Sequence, residues 1–107
     1  MTGTDKQIAW AQSIISESRS LIANNIKNCV DQYAAHPEAD FYLLWMRIWK
    51  RIDHEFETAM GNQKCQSATF IIDKRHYFDA DAIRQQEEKL RFMLDNHPEK
   101  IDEYLIY

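Results

Sequence analysis

Glycine and proline are scarce in this chain of 107 residues, at two each. That scarcity excludes an all-β fold of many short strands, whose hairpins draw on Gly, Asn and Pro for their backbone geometry. It also excludes a Gly-rich phosphate loop. No apolar run approaches the ~20 residues a membrane-spanning helix requires, so no membrane association is expected. The two cysteines, Cys29 and Cys65, form no C-x-x-C pair, and no basic-then-apolar leader opens the chain. A reduced, cytosolic setting is therefore expected. The nucleophile and metalloprotease signatures G-x-S-x-G and H-E-x-x-H are missing as well, which points away from an enzyme and from any cofactor.

What is present favours helix. Ala, Glu, Gln, Lys, Arg, Leu, Ile and Met are common. Hydrophobic residues make up 45% and aromatics 12%, enough to bury one core, so residues 1–107 are expected to form a single helical domain. The spacing Thr4-x-x-Gln7 is that of a capping box, with Asp5 at the positive helix end. Ile8, Ala11, Ile15, Ile22, Ile26, Cys29 and Tyr33 then fall on one stripe of a long helix reaching about Tyr33. Trp10, Ile14 and Leu21 make a second stripe on the same helix, which needs its own cover. Packing of Trp10 against residues 70–72, with Asp73 and Arg75 close to the first helix, would provide it.

Ala35-His36-Pro37-Glu38 ends that helix and is expected to start the next. Phe41 to Ile52 is apolar nearly all round, which suits a central helix ending at Gly61-Asn62. Ala68 to Ile72 is too short for periodicity to decide, and an extended segment or a single turn is expected. Asp79 or Asp81 can cap a third helix with Ile83, Leu90 and Leu94 inward and Glu87 and Glu88 among its exposed charges. A second His-Pro-Glu, at residues 97–99, can start a short final helix carrying Ile101, Tyr104 and Leu105. The predicted architecture is mainly α: a compact bundle of three to four helices with one long N-terminal helix and a short extended segment near residues 68–72.

Two segments carry a resemblance. Thr4, Lys6, Gln7, Ile8, Trp10, Ala11 and Ile14, followed later by Ser67-Ala68-Thr69-Phe70-Ile71-Ile72-Asp73-Lys74-Arg75, resemble small uncharacterised proteins of phages and mobile elements of Gram-positive bacteria. Those proteins open with T-E-K-Q-I-x-W-A-x-x-I and carry a later apolar I-D-x-R segment. Asp5 stands here where Glu is usual, and Phe70 and Ile71 where tryptophan is often found. Both changes keep the cap and the apolar character. The resemblance implies a mobile-element origin, the cytoplasm of a bacterial host, and a structural motif of Thr4, Gln7, Trp10, Ile72, Asp73 and Arg75. Phage proteins of similar size and acidity include inhibitors of bacterial defence such as anti-CRISPR proteins. By that analogy the chain is expected to be a non-enzymatic inhibitor of a host nucleic-acid-binding enzyme or defence nuclease.

Net charge is −4, with the acidic surplus in the last third. Glu87, Glu88, Asp95, Glu99, Asp102 and Glu103 form a carboxylate-rich surface that can imitate a phosphate track and engage a basic partner. Lys89, Arg91 and Lys100 interleave with it. The alternative is direct nucleic-acid binding by Arg47, Trp49, Lys50 and Arg51, where cations would meet phosphate and an indole a base. A third possibility is an assembly module, with the chain a monomer or a homodimer. His54 and Glu57 stand at metal-ligand spacing beside Asp53 and Glu55, as do Asp73 and His76, but no second half of a site is evident, and solvated charge is the expectation. Cys29 is read as a small core residue and Cys65 as exposed.

Overall fold

In a computed structural model, which describes residues 1–105, the chain is mainly helical, with no strand among those residues. The long N-terminal helix α1 (Asp5–Ala35) starts where the capping box places it: the Gln7 N–H donates to Thr4 Oγ1 at 3.2 Å and the Thr4 N–H to Gln7 Oε1 at 3.0 Å. Its 31 residues span roughly 46 Å at the α-helical rise. The molecule measures 51 × 27 × 19 Å, with a radius of gyration of 15.6 Å. About 13 Å is usual for this length, so the chain is elongated where a compact bundle was predicted. The cause is α1, which outruns every element packed against it.

α2 (Asp40–Met60) returns along α1. It begins at Asp40 rather than at Pro37, because the Ala39 N–H closes a turn onto the His36 carbonyl at 3.0 Å and Ala39 stays extended. Both His-Pro-Glu segments prove to be helix stops. His36 and His97 take nearly the same backbone angles (φ −134, ψ 63 and φ −136, ψ 63) and each donates its N–H four residues back. Only the second segment runs on directly, through a 3-10 turn (Pro98–Lys100) into a short helix. The later half of α2 enters the core through Ile48, Trp49, Ile52, Phe56 and Met60, whereas Phe41 to Met46 remain half-buried or exposed. The helix is central at one end only.

Residues 68–72 are helical, which decides for the turn over the extended segment: α3 spans Ala68–Asp73. The missed signal is Ser67, whose hydroxyl accepts the Phe70 N–H at 3.3 Å and caps the turn. Ala68 and Ile71, one helical turn apart, are both fully buried against α1. A single turn, α4 (Arg75–Phe78), follows, and Asp79 then caps α5 (Ala80–Asn96) by accepting the Ala82 N–H at 2.8 Å. Ile83, Leu90 and Leu94 face inward as predicted. α6 (Ile101–Tyr104) ends the fold and leaves Leu105 fully buried. The six α-helices of the described residues thus exceed the three to four predicted, because the link between the second and third long helices is itself helical.

One clasp joins the N-terminus to α3. The Thr2 N–H donates to the Gln66 carbonyl and the Ala68 N–H to the Thr2 carbonyl, each at 2.8 Å. Gly3 between them has φ +136, and a Cβ there would meet Ala68 Cβ at 3.0 Å. Both the angle and the approach need glycine. Gly3→Ala is expected to cost roughly 1–3 kcal/mol, lowering Tm by on the order of 10 °C; a Tm equal to the parent's would show that the clasp contributes nothing.

Candidate functional site

The two arginines of the basic strip of α2 turn to the end of the fold. Arg47 donates to the Leu105 carbonyl and pairs with Asp102 Oδ1 at 3.4 Å. Arg51 donates to the Tyr104 carbonyl at 2.6 Å and to Glu55 at 2.9 Å, with its guanidinium 5.3 Å from the centre of the Tyr104 ring. Both arginines cap the last carbonyls of α6, as cations do at a helix C-terminus. Trp49 is 3% exposed, which leaves its indole no face for a base. Lys50 alone of the four is exposed. Two of the four residues assigned from sequence to nucleic acid, Arg47 and Arg51, are therefore the ones that hold the C-terminal turn onto α2.

The six carboxylates do not form one surface. Glu87 is half-buried and pairs with Arg91, whose guanidinium lies 4.4 Å from the centre of the Trp45 ring. The expected exposure of Glu87 is corrected: it fixes Arg91 over an aromatic of α2. Asp102 serves Arg47, and Glu99 lies 3.3 Å from His97 Nδ1. Glu88, Asp95 and Glu103 are exposed and make no ion pair among the described residues. Between Glu88 and Asp95, on the outer side of α5, stands Phe92, 73% exposed. At 100° per residue the three lie within one turn-spaced strip, opposite Ile83, Leu90 and Leu94. Sequence reading missed Phe92. Its offset from the core positions of α5 was the available signal.

Trp10 is 51% exposed, not buried as predicted. Of that second stripe α1 buries Ile14, beside Ala11 and Ser18 at the edge of the main stripe, while the indole stays largely exposed. The Ser18 hydroxyl donates to the Phe78 carbonyl and fixes the end of α4. Arg75 does reach the first helix, with its guanidinium 5.5 Å from the centre of the Trp10 ring while donating to the Ile72 carbonyl at 2.8 Å. The two sequence motifs, 65 or so positions apart, thus meet in space. Asp73 and Ile72 lie on α3, Asp73 exposed and Ile72 packed at the core edge.

Glu57 is committed to Arg19 by two hydrogen bonds of 2.8 and 3.0 Å that link α2 to α1. Among the described residues no group of three or more His, Cys, Asp or Glu could hold a metal ion. Cys29 is buried as predicted, and Cys65, expected to be exposed, is 4% exposed. Burial pushes both thiols above their ordinary value of 9.0, although Arg91 pulls Cys29 partly back. Neither is poised as a nucleophile, since the thiolate is the reactive form.

No protein-family model, curated protein or solved structure matches this chain.

Two outcomes follow from the site geometry. Removing the Arg51 guanidinium strands the Tyr104 carbonyl, so Arg51→Ala should cost about 1.5–3 kcal/mol in a denaturant titration; an unchanged midpoint would show that α6 holds without it. The folded chain also keeps its thiol protons to higher pH than the unfolded chain, so stability should fall as pH rises past the unfolded thiol value of 9.0. A disulfide reagent should label neither cysteine quickly at pH 7.5 and both in denaturant. Rapid native labelling of Cys65 would contradict its burial.

Proposed function

We propose that this chain is a non-enzymatic binding protein whose contact surface is the outer side of α5, centred on Phe92 and flanked by Glu88 and Asp95. The observation that carries the reading is the 73% exposure of Phe92 between two unpaired carboxylates. A large apolar side chain held on a rigid helix is the form that interface anchors take, and the surrounding charge selects the partner's sign. The fitting partner is a basic protein surface. In keeping with the resemblance to phage and mobile-element proteins, that partner is a host nucleic-acid-binding enzyme or defence nuclease, and occupation of its basic groove would make the chain an anti-CRISPR-like inhibitor. Glu103 extends the same sign of charge to the C-terminal turn. Glu87, Glu99 and Asp102 are not assigned to the contact, because each already faces a cationic or titratable partner within the chain.

The test separates binding from folding. Phe92→Ser and the pair Glu88→Lys, Asp95→Lys change groups that support no packing, so Tm should stay near the parent's. Each should weaken capture of the partner from a host lysate, with the Phe92 change costing roughly 10-fold or more in affinity for the purified partner. Undiminished affinity in both variants would place the binding surface elsewhere.

A further inference from the structure

A cleft of about 180 Å³ opens where α1, α2 and α5 meet, and Phe92 does not line it. Its α1 wall carries the carboxamides Asn25, Asn28 and Gln32, spaced three and four residues apart and so on one side of the helix. Asn28 and Gln32 are exposed, and their side chains make no hydrogen bond among the described residues. Asn25 donates to the Leu21 carbonyl at 2.8 Å, which leaves its Oδ1 to accept. The α2 wall is aromatic. Tyr42 and Trp45 are half-buried, with ring centres 5.8 Å apart and planes at 88°, so a flat molecule lying on one ring meets the edge of the other. Trp49 is buried and lends only part of the wall.

α5 contributes Arg91, the one charged group among the described residues of the lining. Its guanidinium lies 4.4 Å from the centre of the Trp45 ring and pairs with Glu87. Trp45 and Arg91 also line a neighbouring cavity of about 220 Å³, so their stack is a wall common to both spaces.

This lining selects what the cleft can hold. Glu87 already balances Arg91 and the chain carries a net charge of −4, so an anion finds no free counter-charge. A purely apolar molecule would leave the carboxamides it covers without partners. A flat, neutral molecule with a donor and an acceptor side by side on its edge meets both walls. Adenine is such a molecule: its amino group and adjacent ring nitrogen take a carboxamide in a bidentate pair, whereas guanine is read by a cation, and Arg91 is not free to do so. A cavity of roughly 150 Å³ holds a benzene ring, so this cleft has room for one flat ring system and leaves a sugar at its mouth.

We propose that the cleft binds adenine, as the free base or its nucleoside, stacked in the corner of Tyr42 and Trp45 with its edge read by Asn28 or Gln32. The site is separate from the outer side of α5 and stands or falls without it.

Calorimetric titration of the full chain with adenosine tests it. Adenosine should bind with a Kd on the order of 0.1–1 mM, and guanosine at least about 10-fold more weakly. Adenosine monophosphate and oligodeoxyadenylate present the same base beside phosphate and should bind no more tightly than adenosine. The paired change Asn28→Ala, Gln32→Ala falls at exposed helix positions that favour alanine, so Tm should stay near the parent's while adenosine binding weakens roughly 10-fold. Phe92→Ser should leave adenosine binding unchanged. No saturable binding of adenosine, equal binding of guanosine, or undiminished binding by the paired variant would overturn the proposal. Tighter binding of oligodeoxyadenylate would overturn it by making the ligand a polynucleotide, and loss of binding in Phe92→Ser would do so by placing the ligand on α5.

Discussion

Everything in this fold depends on α1 being apolar on two sides. A single 31-residue helix has no stability of its own to spare, since isolated helices are marginal in water and gain most from packing. One side takes α2 and the other takes α3 and α4, while α5 closes over the end of the groove between α1 and α2. Ala11 and Ser18, small residues with no exposure, lie between the two sides and allow the close approach. A bulkier side chain at either position would hold α3 or α4 away from the helix that supports them.

Charge is used in this protein largely for architecture. Arg19 with Glu57 ties α1 to α2, Arg91 with Glu87 covers Trp45, and Arg47 with Arg51 secures the C-terminal carbonyls. Glu55 joins α2 to α5 by accepting from both Arg51 and Gln86. Among the charged groups outside these contacts, Glu88 and Asp95 flank the exposed Phe92 on the outer side of α5. Spending arginines inside the fold is what makes the remainder informative.

Legibility in the sequence followed the range of the interaction. The Thr4 to Gln7 capping box, the Asp79 cap and the inward face of α5 depend on residues three or four apart, and all were readable. The i,i+4 pairing of Arg51 with Glu55 was readable for the same reason. The use of Arg47 and Arg51 was not, because their partners at Asp102, Tyr104 and Leu105 lie more than fifty residues on. Trp49 looked available for stacking because α2 is apolar on several sides, and only the tertiary packing decides which sides are covered. Cys65 was misplaced because a polar neighbourhood in sequence says nothing of a 3-10 turn that points one side chain inward. At residues 68–72 the apolar run was ambiguous, and the Ser67 hydroxyl settled it.

The clasp between Thr2 and Gln66 closes a loop of 64 residues, and that separation has a kinetic consequence. α1 and α2 are joined by a short link and can pair early, whereas the clasp must wait until both helices and the 3-10 turn have placed their ends together. An interaction formed after the rate-limiting step does not speed folding; it slows escape from the native state. Thr2 and Gly3 therefore act as a latch between the start of α1 and α3. Kinetic persistence of the start of α3 against α1 rests on a segment shorter than one helical turn.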